Sequence, residues 1–146
     1  MSAAGSSEEA ASGETFRLPL RVYYEDTDAA GVVYYANYLK FMERARTEWL
    51  AALGFDLAEF EQLHGVLFVV AKMEIEYRSP ARLGDRLEAT LKLIELGRAR
   101  MVALQDVRRG ASALAQARVT LGCIDRDDWR PARIPAVLHG RLEKIC

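Results

Sequence analysis

The sequence predicts an α+β domain in which a curved, mainly antiparallel sheet wraps one long central helix. Three observations predict it. From about Ala36 to Gly54, apolar residues recur at helical spacing over much of the girth, so this helix needs a sheet around it rather than a place on a surface. Runs with a period of two, apolar against polar, occur once before this helix and four times after it. The breaks between the later runs are short and turn-forming, and strands joined by hairpins lie antiparallel.

Taken in order, Met1 to Glu14 is small and polar without periodicity, and reads as a disordered tail ahead of a single domain over residues 15–146. From Phe16 to Tyr24, the side chains of Phe16, Leu18, Leu20, Val22 and Tyr24 share one face of a half-buried strand, opposite Arg17, Arg21 and Tyr23. Pro19 donates no ladder hydrogen bond, which predicts an edge position or an early start of the strand. A turn follows with Asp26, Asp28 and Gly31, the glycine freeing the backbone to bend or to come close to another group. In the helix, Tyr38, Met42, Ala45, Trp49 and Ala52 form one stripe, which Leu39, Phe41, Leu50 and Leu53 broaden. Roughly 17 helical residues at ~1.5 Å each span ~25 Å, about the width of a small sheet. Asp56 is placed to cap a short second helix that ends at Leu63.

The remainder is strand-like. Val66 to Tyr77 starts as an apolar run and ends with Met73, Ile75 and Tyr77 alternating against Lys72, Glu74 and Glu76. Ser79-Pro80 and Gly84-Asp85 break the pattern. The next run sets Leu87, Ala89, Leu91 and Leu93 on one face, and Gly97 ends it. Ala99 to Arg108 is a further strand, Arg109-Gly110 a hairpin turn, and Ser112 to Asp125 the last long strand. Pro131 and Pro135 end the sheet, and one short helical turn is predicted over Pro135 to Arg141. One face of the sheet takes the helix; the other is wet or meets a second subunit.

Composition excludes several classes. The net charge of −1 over 146 residues gives no basis for a nucleic-acid or membrane-surface partner. No apolar run approaches the ~18 residues of a membrane span. The N-terminus lacks a basic region followed by an apolar block, which predicts no secretory signal. Cys123 and Cys146 are the only cysteines, with neither a disulfide framework nor zinc spacing, which suits a reducing cytoplasm.

The chemistry centres on Asp26-Thr27-Asp28-Ala-Ala-Gly31. It starts like a calcium loop, but Ala30 stands at the third ligand position and Asn37 at the position of the bidentate glutamate, so no metal is expected. One account of the aspartates is that they only cap the turn and the helix. The other is that one carboxylate acts as base or nucleophile beside unpaired helix N–H groups able to hold a carbonyl oxygen as it gains charge. No G-x-S-x-G, dinucleotide or P-loop motif is present, and His64 and His139 both fall near breaks. Arg98 and Arg100 flank the Gly97 turn, as a solvated strand end or a phosphate grip. On the helix, Glu43 with Arg46 and Arg44 with Glu48 have the spacing of surface ion pairs.

The stretch EDTDAAGVVYYANYLKFMERARTEW resembles the signature of hot-dog-fold acyl-CoA thioesterases of the 4-hydroxybenzoyl-CoA thioesterase class, closest to the Tol-Pal-associated branch. FVVAKMEIEYRSPARLGD and VTLGCIDRDDWRPARIP are similar to the same branch, so the resemblance runs from about Leu18 to Pro135. It implies a sheet wrapped around one helix, and dimers or tetramers with active sites at the dimer interface. It implies an acyl-CoA or acyl-carrier-protein substrate and no cofactor. It puts the catalytic acid on Asp28 and the carbonyl-polarising backbone N–H on Tyr35. It implies substrate contacts at Gly31 and Val33, and a phosphate grip near Arg98 and Arg100. The branch usually has histidine where this chain has Tyr35; tyrosine keeps the backbone donor and removes an imidazole. Two alternatives use the same fold: a non-catalytic acyl-CoA binding or sensing module, and a dehydratase, which needs a pocket histidine.

Overall fold

Side chains on the long helix are apolar on the face that a sheet must cover, and the chain supplies that sheet from both sides of the sequence. The computed structural model describes residues 15–146; the expected tail over residues 1–14 lies outside the described residues. Five strands form one sheet: β1 (Phe16–Arg21), β2 (Val66–Tyr77), β3 (Arg86–Leu96), β4 (Arg100–Arg109) and β5 (Ser112–Asp125). Three helices accompany them: α1 (Asn37–Ala52), α2 (Leu57–His64) and α3 (Ala136–Glu143). Neighbouring strands are antiparallel throughout, in the order β1-β3-β4-β5-β2.

β1 is an edge strand, the first of the two readings of Pro19. It ends at Arg21, earlier than expected, because residues Tyr24–Asp26 form a 3-10 turn. That turn swings Tyr24 out to 81% exposure, away from the buried face the alternation assigned to it. The second edge is β2, and here simple hairpin succession fails. β3, β4 and β5 form a meander, but β2 pairs with β5, so the segment 78–85 crosses the sheet end to reach β3. Eight residues suffice, because three inter-strand steps of ~4.8 Å are only ~14 Å. Register shifts interrupt the ladders at Val70/Lys72, Leu93/Glu95 and Val107/Arg108. Such bulges bend and twist a sheet, which is the curvature a wrapped helix requires.

α1 packs chiefly on β3, and also on β1 and β4. Phe41, Met42 and Ala45 are fully buried against Leu87, Ala89, Leu91 and Leu93. Two expected members of the stripe, Leu39 and Ala52, are exposed. The C-cap turns Leu53 inwards in place of Ala52, and Leu39 sits on the flank that the sheet does not reach. Asp56 caps α2, its carboxylate accepting the Glu59 N–H at 3.0 Å. α3 extends the expected single turn to eight residues.

The predicted ion pairs on α1 do not form among the described residues. Arg46 reaches inwards and donates to Gln105 Oε1 at 2.9 Å. Gln105, fully buried in mid-sheet, donates in turn to the Met42 carbonyl at 3.0 Å. A buried amide without partners is costly, so this bond pins sheet to helix. Burial pushes the Arg46 guanidinium down from its ordinary value, against the Glu43 carboxylate that raises it.

Candidate active site

The two aspartates of the turn take different parts. Asp26 is only 5% exposed, with both carboxylate oxygens engaged. Its Oδ2 accepts the Tyr23 N–H at 2.8 Å, and its Oδ1 accepts Asn37 Nδ2–H at 2.7 Å. Asp26 is a structural cap, as the plainer account of the motif expects. Asp28 is exposed, and its Oδ1 accepts the Ala30 N–H at 2.8 Å. Its Oδ2 has no hydrogen-bond partner among the described residues. The Asp28 N–H donates to the Val32 carbonyl at 2.9 Å, and the Gly31 N–H donates to the Asp28 carbonyl at 3.0 Å. Gly31 holds φ at 81°, where a side chain is strained, so the tightness of this turn depends on glycine.

The start of α1 is electropositive for a local reason. The N–H groups of Asn37, Tyr38 and Leu39 are taken by carbonyls three residues back. The N–H groups of Tyr35 and Ala36 have no partner among the described residues. The N-cap, Ala36, offers no side-chain hydrogen bond, and no acidic residue lies in the first turn. A helix end left in this state carries roughly half a positive charge and attracts an oxygen anion.

Asp28, Val33 and Tyr35 line one cavity of about 420 Å³. Its other walls include Tyr38 from α1, Tyr77 from the end of β2, and the crossing segment at Arg78, Ser79 and Pro80. The tyrosine rings pack on one another: Tyr35 to Tyr77 and Tyr38 to Tyr77 are both 5.6 Å between centroids. The Tyr38 hydroxyl accepts the Ala81 N–H at 2.9 Å, fastening helix to crossover. Burial pushes the Tyr77 phenol up, and the adjacent Tyr35 and Tyr38 phenols add to the shift.

Of the predicted site residues, Asp28, Val33 and Tyr35 come together, whereas Gly31 shapes the turn without lining the cavity. Arg98 and Arg100 do not join them within one protomer. They stand at the β3–β4 turn, and the ten residues of β4 separate that end of the sheet from the other by roughly 30 Å. Arg98 lines a separate cavity with Arg133 and His139, and Arg100 lies 3.8 Å from Glu95. Neither histidine reaches Asp28: His64 packs on Phe60 with centroids 4.4 Å apart, and His139 Nε2 lies 3.1 Å from the Gly97 carbonyl. Sequence reasoning missed Tyr77, Arg78, Ser79 and Pro80 as cavity residues. Ser79-Pro80 was visible only as a break, because what brings it to Asp28 is the crossover.

Comparison with known proteins bears on this arrangement. Residues 22–142 match the thioesterase-like superfamily. The chain belongs to that superfamily. The chain is 40% identical over 120 residues to a Haemophilus influenzae protein named acyl-CoA thioesterase YbgC, covering 82% of this chain and 88% of that one. It is 42% identical over 121 residues to acyl-CoA thioester hydrolase YbgC of Escherichia coli O6:H1, covering 82% and 90%. Among solved structures, a probable thioesterase from Bartonella henselae superposes with a TM-score of 0.79 at 35% identity, covering 83% of this chain and 99% of that one. The antiparallel sheet around α1 is thus the hot-dog fold of thioesterases, as the sequence resemblance implies.

Proposed function

We propose that this thioesterase-superfamily chain hydrolyses acyl-CoA thioesters to the free acid and the thiol, with Asp28 as the catalytic carboxylate. The observation that carries this is one cavity holding a carboxylate oxygen and, at a helix start, N–H groups that have no partner among the described residues. The names of the relatives, acyl-CoA thioesterase and acyl-CoA thioester hydrolase, support the substrate class.

The thioester carbonyl lies against the start of α1 with its oxygen toward the Tyr35 N–H, which strengthens its hydrogen bond as charge develops. Val33 forms part of the wall, and Gly31 keeps the turn tight enough to present Asp28. Asp28 either attacks the carbonyl carbon, giving a mixed anhydride that water then opens, or takes a proton from water as that water attacks. In both routes the C–S bond breaks and one water is consumed. The leaving thiolate, from a thiol of pKa near ~8.5, departs without a strong general acid, so the reaction needs no pocket histidine.

The working unit in this proposal is a homodimer, or a pair of such dimers, located in the cytoplasm. Support for the dimer comes from β2, an edge strand of 12 residues whose helix-side row includes Val70 at 45% and Tyr77 at 42% exposure. Two copies joined along β2 about a two-fold axis run antiparallel. The partner subunit's Arg98 and Arg100 then arrive at the same end as Asp28, which reconciles the phosphate grip with the separation inside one chain.

Free-thiol release from short, long and aromatic acyl-CoAs tests the assignment. Asp28→Asn is expected to abolish nearly all hydrolysis while binding of the CoA ester persists. Turnover close to wild type in that variant overturns it.

A further inference from the structure

Building on that assignment of Asp28 and the Tyr35 N–H, we propose that Asp26 and Asn37 are positioning residues whose buried hydrogen bond sets the spacing between catalytic carboxylate and oxyanion donor. Asp26 lies two residues before Asp28, and Asn37 two after Tyr35. The two functional groups therefore hang from opposite ends of one short bond, Asn37 Nδ2 to Asp26 Oδ1 at 2.7 Å.

Both partners are buried, at 5% and 6% exposure. A bond from amide to carboxylate at this length is charge-assisted, and it is stiffer than a solvated surface contact. Two further bonds lock the same joint. The Tyr23 N–H donates to Asp26 Oδ2 at 2.8 Å, and the Tyr34 N–H donates to the Asp26 main-chain carbonyl at 3.1 Å. Thus one residue holds Tyr23 just past β1, the residue before Tyr35 and the first residue of α1. Asn37 is a residue type that ordinarily caps helices by accepting through its oxygen. Here its side chain makes no cap for α1 and instead donates back across the turn. That use of a buried amide has no need in helix formation; it does fix where the helix start stands relative to the Asp28 turn.

The consequence is catalytic because geometry enters the rate steeply: a misplacement of ~1 Å costs about 100-fold. Loss of the tie leaves the main-chain Thr27–Val33 bridge to close the loop at its base. Substrate contacts along the cavity walls are untouched, so the effect falls on kcat rather than KM.

The test uses steady-state thiol release by the full chain, with thermal melts as a check on folding. Asn37→Ala is expected to lower kcat on the order of 10- to 100-fold with KM changed by less than about threefold. Asn37→Gln keeps the donor, displaces it by a methylene, and is expected to lose kcat in part; it decides the matter if Asn37→Ala does not fold. The double exchange Asp26→Asn with Asn37→Asp keeps every donor facing an acceptor. The new amide accepts the Tyr23 N–H and donates to the new carboxylate, and kcat should recover to within about threefold of wild type. A purely structural role would move melting temperature without splitting kcat from KM. If Asp28→Asn is inactive while Asn37→Ala and Asn37→Gln keep wild-type kcat, or if the exchange fails to rescue a folded enzyme, the positioning role falls alone. If Asp28→Asn is itself fully active, the catalytic assignment falls and takes the clamp with it.

Discussion

Asp26 and Asp28 are the same residue type two positions apart, and they do different work because of what surrounds them. Three N–H donors engage Asp26, two on its carboxylate and one on its main-chain carbonyl, whereas Asp28 keeps one carboxylate oxygen at the cavity wall without a partner among the described residues. On the proposed catalytic role of Asp28, its side-chain length matters as well as its charge. Asp28→Glu extends the carboxylate by one methylene, over 1 Å, and is expected to lower kcat by about 100-fold while leaving the melting temperature near wild type. Thiol-release kinetics on the folded variant check this. Tyr35 carries a related lesson. Its predicted contribution comes from its backbone, while its ring, 62% exposed, packs against Tyr34 and Tyr77.

At the scale of elements, the crossover between β2 and β3 deserves the weight that the hairpins were expected to carry. It builds one wall of the cavity, and Asp85 anchors its far end. The Asp85 carboxylate accepts the Arg82 N–H at 2.9 Å and an Arg109 guanidinium N–H at 2.7 Å. The backbone bond from Arg82 is the largest cause holding Asp85 below its ordinary value of 3.8, with Arg109 adding to it and burial opposing. A carboxylate whose folded pKa is depressed stabilises the fold above its unfolded value, and that contribution is lost as pH falls through the lower folded value. Asp85→Asn should therefore flatten the acid limb of the stability curve, with a melt midpoint below wild type at neutral pH and closer to it under strongly acidic conditions. Melts recorded over a pH series read this directly. An equal loss at all pH values would mean that the charge of Asp85 is not what ties down the crossover.

For the whole molecule, β2 is the edge that a second copy can cover. α1 lies chiefly over β3, β1 and β4; α2 meets the helix-side row of β2 at Phe68 and Tyr38 of α1 meets it at Tyr77, while Met73 and Ile75 between them stay only half-buried. A lysine there buries an unpaired charge if a second copy covers the strand, and remains solvated if nothing does. Ile75→Lys is expected to yield a folded monomer by light scattering, with thiol release reduced at least about 10-fold, since the proposed phosphate grip comes from the partner. Wild-type turnover by a monomeric variant would show that one protomer is sufficient.

Much of this was legible in the sequence. The strands of period two, the apolar helix, the Asp56 cap and the edge position of Pro19 all follow from local chemistry, because periodicity, capping and the missing proline N–H act within a few residues. The D-x-D turn beside a helix start could be read in the same way. Tertiary structure alone decided which aspartate is saturated, since the partner of Asp26 lies 11 residues on, across the turn. It also decided that β2 pairs with β5, that Arg46 turns in to Gln105, and that Arg98 stands far from Asp28. These outcomes depend on which distant groups meet, and no local pattern encodes a meeting that only chain topology brings about.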